Sequence, residues 1–545
     1  MLPVRDTYDD LVRDFAWDIP RFFNMGTAVC NVWAEREPER VCLLHYHPDR
    51  APDVLTYAEL RQRSDALAGG LRGLGVERGD RVALLLPQGF ETAIAHVAIY
   101  KLGAVAVPLA LLFGVDALKY RLGSSGTKSV ITNASGAAKV AEIRDELEQL
   151  DSVVCVDDVP GTHAFHDLAD RDDRDFSAVE TRVEEAALMI FTSGTTGPPK
   201  GALHGHRVLL GHLPGIQFAH EFLPQPDDLF WTPADWAWAG GLLNVLMPAL
   251  YLGVPVVSSA AQKFDPETAF RIMQDMKVRN AFIPPTALKM LRTVDSPGSR
   301  FDLKLRTVGS AGESLGRETY EWAKRELGIT INEFYGQTEC NAVLSSCARI
   351  DVTRGGAIGR AVPGHQVAIV DEQGRELPRG TPGQIAVQQP NPVMFLRYWN
   401  NEAATRAKFI GDWMLTGDMG IMGEDGYVEF FGRDDDVITS AGYRIGPGEI
   451  EDCLTAHPAV ALAAAVGKPD PLRTEIVKAF IVLKAGHEPS HALAGDIQDW
   501  VKVRLSAHEY PREVAFVDSM PLTTTGKVIR RVLRDRAVRE ARSYD

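Results

Sequence analysis

The sequence predicts an α/β protein, with a large N-terminal domain of parallel sheets and helices, a β-rich subdomain and a small α/β C-terminal domain. Three observations carry this. From residue 56 to 283, short apolar runs alternate with amphipathic stretches, the texture of parallel strands joined by crossover helices. After about residue 355, Gly and Pro become dense (Gly355, Gly356, Gly359, Pro363, Gly364, Pro378, Gly380, Pro382, Gly383), which suggests hairpins. Beyond Arg433-Asp434-Asp435-Asp436 a compact α/β tail follows. The boundaries read as 1–433, with the β-rich part over about 355–433, and 434–545.

Taken in order, Thr56-Tyr57-Ala58-Glu59 has the form of a capping box, opening a helix whose stripe includes Leu60, Leu67, Leu71 and Leu74. A strand over 81–86, a helix over 90–102 and a strand over 104–107 come next. Further strands fall near 130–132, 153–156, 254–257 and 281–283. In the β-rich part, 367–370 and 384–387 read as strands. The tail carries strands near 459–466, 477–483 and 513–517. Its helix over 489–506 places Leu493, Ile497, Val501 and Leu505 at four-residue spacing. Residues 236–262 hold no charge, yet Gly240, Gly241, Pro248, Gly253 and Pro255 divide them. A buried helix over 240–247, a turn and a strand over 254–258 explain this run better than a membrane span.

Composition narrows the class. At 45% apolar and 24% charged the 545-residue chain resembles ordinary globular proteins. A formal charge of −15 argues against nucleic-acid binding. Met1-Leu2-Pro3-Val4-Arg5-Asp6 lacks an apolar signal region, so a cytoplasmic location is expected. The six cysteines have no metal-type spacing and read as reduced thiols.

The most informative stretch is Phe191-Thr192-Ser193-Gly194-Thr195-Thr196-Gly197-Pro198-Pro199-Lys200-Gly201. It follows the apolar run 186–190, which reads as a buried strand. Glycines let the backbone approach closely, and successive N–H groups and hydroxyls can ring an anion, with Lys200 adding charge. A Walker-type P-loop is disfavoured, because Pro199 precedes Lys200 and Gly201 stands where a Mg²⁺-holding hydroxyl is needed. A plain Ser/Thr/Gly surface loop remains the alternative for this segment alone.

Further segments follow in order: Gly309-Ser310-Ala311-Gly312-Glu313-Ser314, Glu333-Phe334-Tyr335-Gly336-Gln337-Thr338-Glu339, Leu415-Thr416-Gly417-Asp418 and Gly432-Arg433. Ala441-Gly442-Tyr443-Arg444-Ile445-Gly446-Pro447 and Pro521-Leu522-Thr523-Thr524-Thr525-Gly526-Lys527 complete the set. Together and in this order they resemble the adenylate-forming superfamily of acyl- and aryl-CoA synthetases, peptide-synthetase adenylation domains and firefly-type luciferases. The chain is most similar to the medium-chain acyl-CoA synthetases, through residues 335–339, 440–447 and 457–460.

The resemblance implies two half-reactions. A carboxylate attacks the α-phosphate of Mg-ATP to give acyl-AMP and pyrophosphate; coenzyme A thiolate then takes the acyl group and releases AMP. It assigns Thr192, Ser193, Gly194, Thr195, Thr196, Gly197 and Lys200 to the β- and γ-phosphates. Thr338 would bond the α-phosphate and Glu339 would hold Mg²⁺. Gly312, Glu313, Ser314, Glu333, Phe334 and Tyr335 would flank adenine, beside Gly336 and Gln337. Asp418 and Arg433 would grip the ribose. Lys527 would bridge the substrate carboxylate and the α-phosphate, with Lys200 and Thr338 as further catalytic groups.

The same resemblance makes the C-terminal domain mobile about a hinge at Asp435. Its rotation would replace Lys527 with Gly442-Tyr443. Ser440, Ala441, Gly442, Tyr443, Arg444, Arg473, Lys502, Tyr510 and Arg512 would contact coenzyme A. Trp236, Trp238, Ala311, Gly336 and Cys340 would line the acyl pocket. Gly336 stands where acetate-selective relatives carry tryptophan, which implies an acid larger than acetate: short to medium-chain, branched or benzoate-like. A 2-aminobenzoate-type aryl ligase and a stand-alone adenylation enzyme are the alternatives. The resemblance also makes Lys527 a target for a lysine acyltransferase and deacylase; the oligomeric state stays open.

Overall fold

The computed structural model describes all residues except 172–175, 193–197, 260–263, 434–435, 441–442, 471–472, 506–508, 524–526 and 543–545. Two large sheets build the N-terminal part. One carries the parallel strands Arg81–Leu85, Val105–Pro108, Thr127–Thr132 and Ser152–Cys155, with Ala186–Thr192 parallel to Val105–Pro108. The other carries Val41–Tyr46, Val256–Ser259, Phe230–Trp231, Asn280–Phe282, Thr307–Ser310 and Ile331–Gln337, joined in parallel. Helices Tyr57–Gly73, Phe90–Lys101 and Val208–Ala219 fill the space beside them, and their apolar residues form one large core.

Local chemistry explains the early elements. Thr56 accepts from the Glu59 amide while Glu59 Oε2 accepts from the Thr56 amide at 2.8 Å, a closed capping box. The uncharged run 236–262 forms consecutive helical segments over Ala239–Gly241, Leu242–Leu246 and Met247–Leu252. The expected stop at Pro248 is therefore not observed. Leu242–Leu246 is π-helical, and Pro248 falls in the first turn of the next segment, where a missing N–H costs little. Gly253, at φ +71°, ends the helix instead. Among the described residues, no helix is long and apolar enough to cross a membrane.

The β-rich part is an antiparallel sheet of Val367–Val370, Gly383–Gln388, Trp413–Met422, Phe409–Ile410 and Val428–Arg433. The C-terminal unit has its own sheet of Ile438–Ser440, Tyr443–Ile445, Val460–Asp470, Thr474–Leu483 and Glu513–Phe516. Helices Pro447–Thr455, His491–Arg504 and Arg530–Arg542 pack on it. Asp435, the expected hinge, lies outside the described residues.

Candidate active site

The glycine- and hydroxyl-rich loop after Thr192 joins two antiparallel strands rather than leading into a helix. Ala186–Thr192 pairs with Lys200–Gly205, with Thr192 opposite Lys200. Residues 193–197, which hold Ser193, Gly194, Thr195, Thr196 and Gly197, lie outside the described residues. Thr192 Oγ1 donates to the Lys200 carbonyl at 3.4 Å. Tyr120 holds the far side, its hydroxyl donating to the Pro199 carbonyl at 3.0 Å. The next residue, Arg121, is buried with its guanidinium 4.0 Å from the Phe113 ring centre and 5.9 Å from that of Phe191. One helix, Val115–Ser125, thus touches both ends of the loop.

Lys200 Nζ stands 5.3 Å from the centre of the Tyr398 ring, and the Tyr398 hydroxyl donates to Glu339 Oε1 at 2.5 Å. A cation, a phenol and a buried carboxylate therefore meet at the loop's exit. Sequence reasoning missed Tyr398, which sits on the two-residue strand Arg397–Tyr398 paired to Ala202 and Leu203. Among the described residues no cluster of three or more His, Cys, Asp or Glu could hold a metal. A Mg²⁺ here would take one protein carboxylate, Glu339, and complete its shell with phosphate oxygens and water. That donor set suits a hard cation that seldom uses all-protein cages.

Across the site, Tyr335 donates to Asp418 Oδ2 at 2.6 Å. Gln337 Nε2 reaches the same oxygen at 3.4 Å and the Thr416 carbonyl at 3.0 Å. Lys408 Nζ holds Gln337 Oε1 at 2.7 Å, a residue no motif marked. Asp418 lies opposite Arg433 in its hairpin. Phe334 differs from expectation: its side chain is buried and tilted against Phe282, 5.6 Å between ring centres. Strand alternation sends it into the core while Glu333 and Tyr335 take the other face, so it offers a nucleotide only its backbone.

Glu333 Oε1 accepts from the Leu315 amide at 3.0 Å, and loss of solvent pushes its carboxyl up to about 7. Glu313 Oε2 accepts from Thr286 at 2.8 Å. Gly312 has φ +103°, and a Cβ there would lie 3.4 Å from Lys527 Cε and 3.5 Å from its Nζ. The exposed Lys527 thus crosses from the C-terminal unit to the Gly312 loop. Its turn is closed by Lys527 N to Thr523 Oγ1 at 3.0 Å and Thr523 N to the Lys527 carbonyl at 2.7 Å.

Two expected pocket residues are placed otherwise. A Cβ on Gly336 would fall 1.2 Å from the Asn341 carbonyl oxygen, because a bulge between Tyr335 and Gly336 turns that position onto the neighbouring strand. Gly336 is a backbone requirement in this arrangement and opens no acyl space by itself. Cys340 is fully buried in the core shared with Ile385, Val387 and Met414, and burial pushes its thiol up to about 12. Trp236 is likewise buried in the main core, whereas Trp238 keeps partial exposure, its ring edge-on to Phe113 at 5.7 Å. Ala311 packs beside the same core.

In the C-terminal unit, Lys502 Nζ and Arg512 Cζ lie 5.4 and 5.0 Å from the Tyr510 ring centre, and Arg512 donates to its hydroxyl at 3.1 Å. Ser440 pairs in register with both Tyr443 and Thr474, which brings Arg473 next in sequence to that strand end. Ala441 and Gly442, and the side chains of Arg433, Tyr443 and Arg444, lie outside the described residues.

The hairpin of Thr192 and Lys200, the wall of Tyr335 and Asp418 and the lysine of a separate unit sit in an adenylate-forming ligase. The chain belongs to the AMP-binding enzyme family: that family's model matches residues 30–399, and the AMP-binding enzyme C-terminal domain matches residues 449–527. It is 34% identical to an acetyl-coenzyme A synthetase of Bacillus subtilis (strain 168) over 90% of this chain and 86% of the relative. It is 33% identical to the mouse mitochondrial acyl-coenzyme A synthetase ACSM5, over 95% of this chain and 91% of that protein. The anthranilate CoA ligase AuaEII, solved with anthranoyl-AMP, superposes with a TM-score of 0.89 at 28% identity, over 96% of this chain and 99% of that one. The chain is an AMP-forming ligase of the acid–thiol class.

Two outcomes test this geometry. Gly336→Ala should destabilise the fold by about 3 kcal/mol or more, since its methyl group meets backbone; thermal unfolding measures it. Glu333 has a raised carboxyl, so its contribution is present at low pH and is lost as pH rises through about 7. Glu333→Gln should therefore match the native protein near pH 5 and exceed it at pH 9, by on the order of 2 kcal/mol; denaturant unfolding across that range measures the difference.

Proposed function

We propose that this ligase activates a short to medium-chain, branched or aromatic carboxylic acid with ATP and transfers it to coenzyme A. The observation that carries the reading is the Lys527 ammonium beside Gly312. An acid and a triphosphate repel each other, and a lysine between them stabilises charge as the oxygen–phosphorus bond forms. Thr192 and Lys200 hold the leaving pyrophosphate, Thr338 meets the α-phosphate, and Glu339 carries Mg²⁺. Asp418, with Tyr335 against its carboxylate, receives the ribose.

The thioester step follows when the C-terminal unit turns at Asp435 and presents Gly442 and Tyr443. The group of Lys502, Tyr510 and Arg512 offers two cations and a ring to the nucleotide of coenzyme A. An aromatic acid is favoured by the Trp238–Phe113 pair, whose edge-to-face rings offer aromatic surface for a further ring, and by likeness to a ligase named for anthranilate. The exposure of Lys527 suits it to reversible acylation, which would remove the charge that activation needs.

The test is acid-dependent ATP–pyrophosphate exchange over a panel of butyrate, isobutyrate, hexanoate, benzoate and 2-aminobenzoate. At least one acid should support exchange and yield AMP; ADP and phosphate as products would overturn the reading. Lys527→Ala should lower exchange by about 10²–10³-fold, the scale of one lost charge-stabilising group. Thioester formation from a synthetic acyl-adenylate should survive that change.

A further inference from the structure

We infer that Asp452 is a positioning residue that docks the C-terminal unit for acid activation. The inference rests on the ligase reading and adds a residue that none of the motifs contains. Asp452 lies on the helix Pro447–Thr455 of the C-terminal unit, and its Oδ2 accepts from the backbone N–H of Arg317 in the N-terminal part at 2.9 Å. The carboxylate occupies room left by a glycine. Gly316 sits at φ +78°, and a Cβ there would stand 2.3 Å from Asp452 Oδ1.

Among the described residues Asp452 forms no ion pair, and loss of solvent is the main cause that raises its carboxyl. What offsets its burial comes from the opposite unit: first the backbone N–H of Arg317, then the Lys289 cation and the backbone N–H of Glu318. The bond to Arg317 exists only while the two units are apposed; on separation the carboxylate exchanges it for water.

The neighbouring residue on the same helix faces inward. Glu451 Oε2 and Oε1 accept from Arg530 at 2.6 and 3.1 Å, and Oε1 also accepts from the Ala465 amide at 2.9 Å. Arg530 opens the helix Arg530–Arg542, three residues after Lys527. One turn further, Arg534 pairs with Asp436 beside the expected hinge. Adjacent residues of one helix therefore tie the lysine turn to the C-terminal unit and that unit to Arg317. The anchor at Gly316 and Arg317 and the end of the lysine at Gly312 belong to the same short segment. Docking by Asp452 and delivery of Lys527 are one rigid event. A rotation that brings in Gly442 and Tyr443 separates Asp452 from Arg317.

Two variants remove the contact from opposite sides. Asp452→Ala deletes the acceptor. Arg317→Pro deletes the donor at the first residue of the helix Arg317–Trp322, a position that tolerates proline. Each should lower acid-dependent pyrophosphate exchange by about ten-fold, the scale of a lost hydrogen bond to a charged group. Thioester formation from a synthetic acyl-adenylate should stay within about two-fold of the native rate, which also shows that the variants are folded. The double variant should be no worse than either single one, and Asp452→Asn, which keeps an acceptor, should recover most of the exchange. Unchanged exchange, additive losses, or equal losses in both half-reactions would overturn the docking role while native exchange upholds the ligase reading. Absence of exchange in the native protein would overturn both.

Discussion

The structure turns on a contact between a lysine and a missing side chain. Lys527 ends where Gly312 has neither Cβ nor an ordinary backbone angle, and any other residue there would be strained. The pairing lets a cation from one folding unit enter a cleft walled by another. A negatively charged acid can approach a polyphosphate only where such charge is present. The supporting contacts, from the turn at Thr523 to the pair of Glu451 and Arg530, hold that cation in place.

The opposite wall is organised by hydrogen bonds that cross elements far apart in sequence. Tyr398 stands between Lys200 and Glu339 and keeps cation and carboxylate apart while touching both. That separation matters, because a direct ion pair would spend the charge of both groups on each other. Tyr335, Gln337 and Lys408 likewise fix the Asp418 carboxylate. Preorganised dipoles of this kind need little rearrangement when the reaction charge moves.

Much of this was legible in the sequence because its signals are local. The capping box at Thr56 and Glu59, the parallel strands and the ordered glycine motifs each occupy a few consecutive residues. What escaped depended on partners distant in the chain. Tyr398 lies on a two-residue strand too short for periodicity. The helix Val208–Ala219 is buried almost all round and contains Pro214, so it shows no polar face to read. Gly336 and Cys340 were placed in the pocket by position in a motif, yet a bulge turns Gly336 onto the neighbouring strand and the thiol of Cys340 is buried in a core cluster. Gly316 and Asp452 belong to no motif, and only the docked units show that one makes room for the other.

The central claim is that the acid's own oxygen attacks the α-phosphorus in the cleft closed by Lys527. The most direct measurement follows that oxygen. With a carboxylic acid labelled with ¹⁸O in both carboxyl oxygens, one labelled oxygen should appear in the AMP released after thioester formation. Unlabelled AMP, or label in inorganic phosphate, would contradict the account.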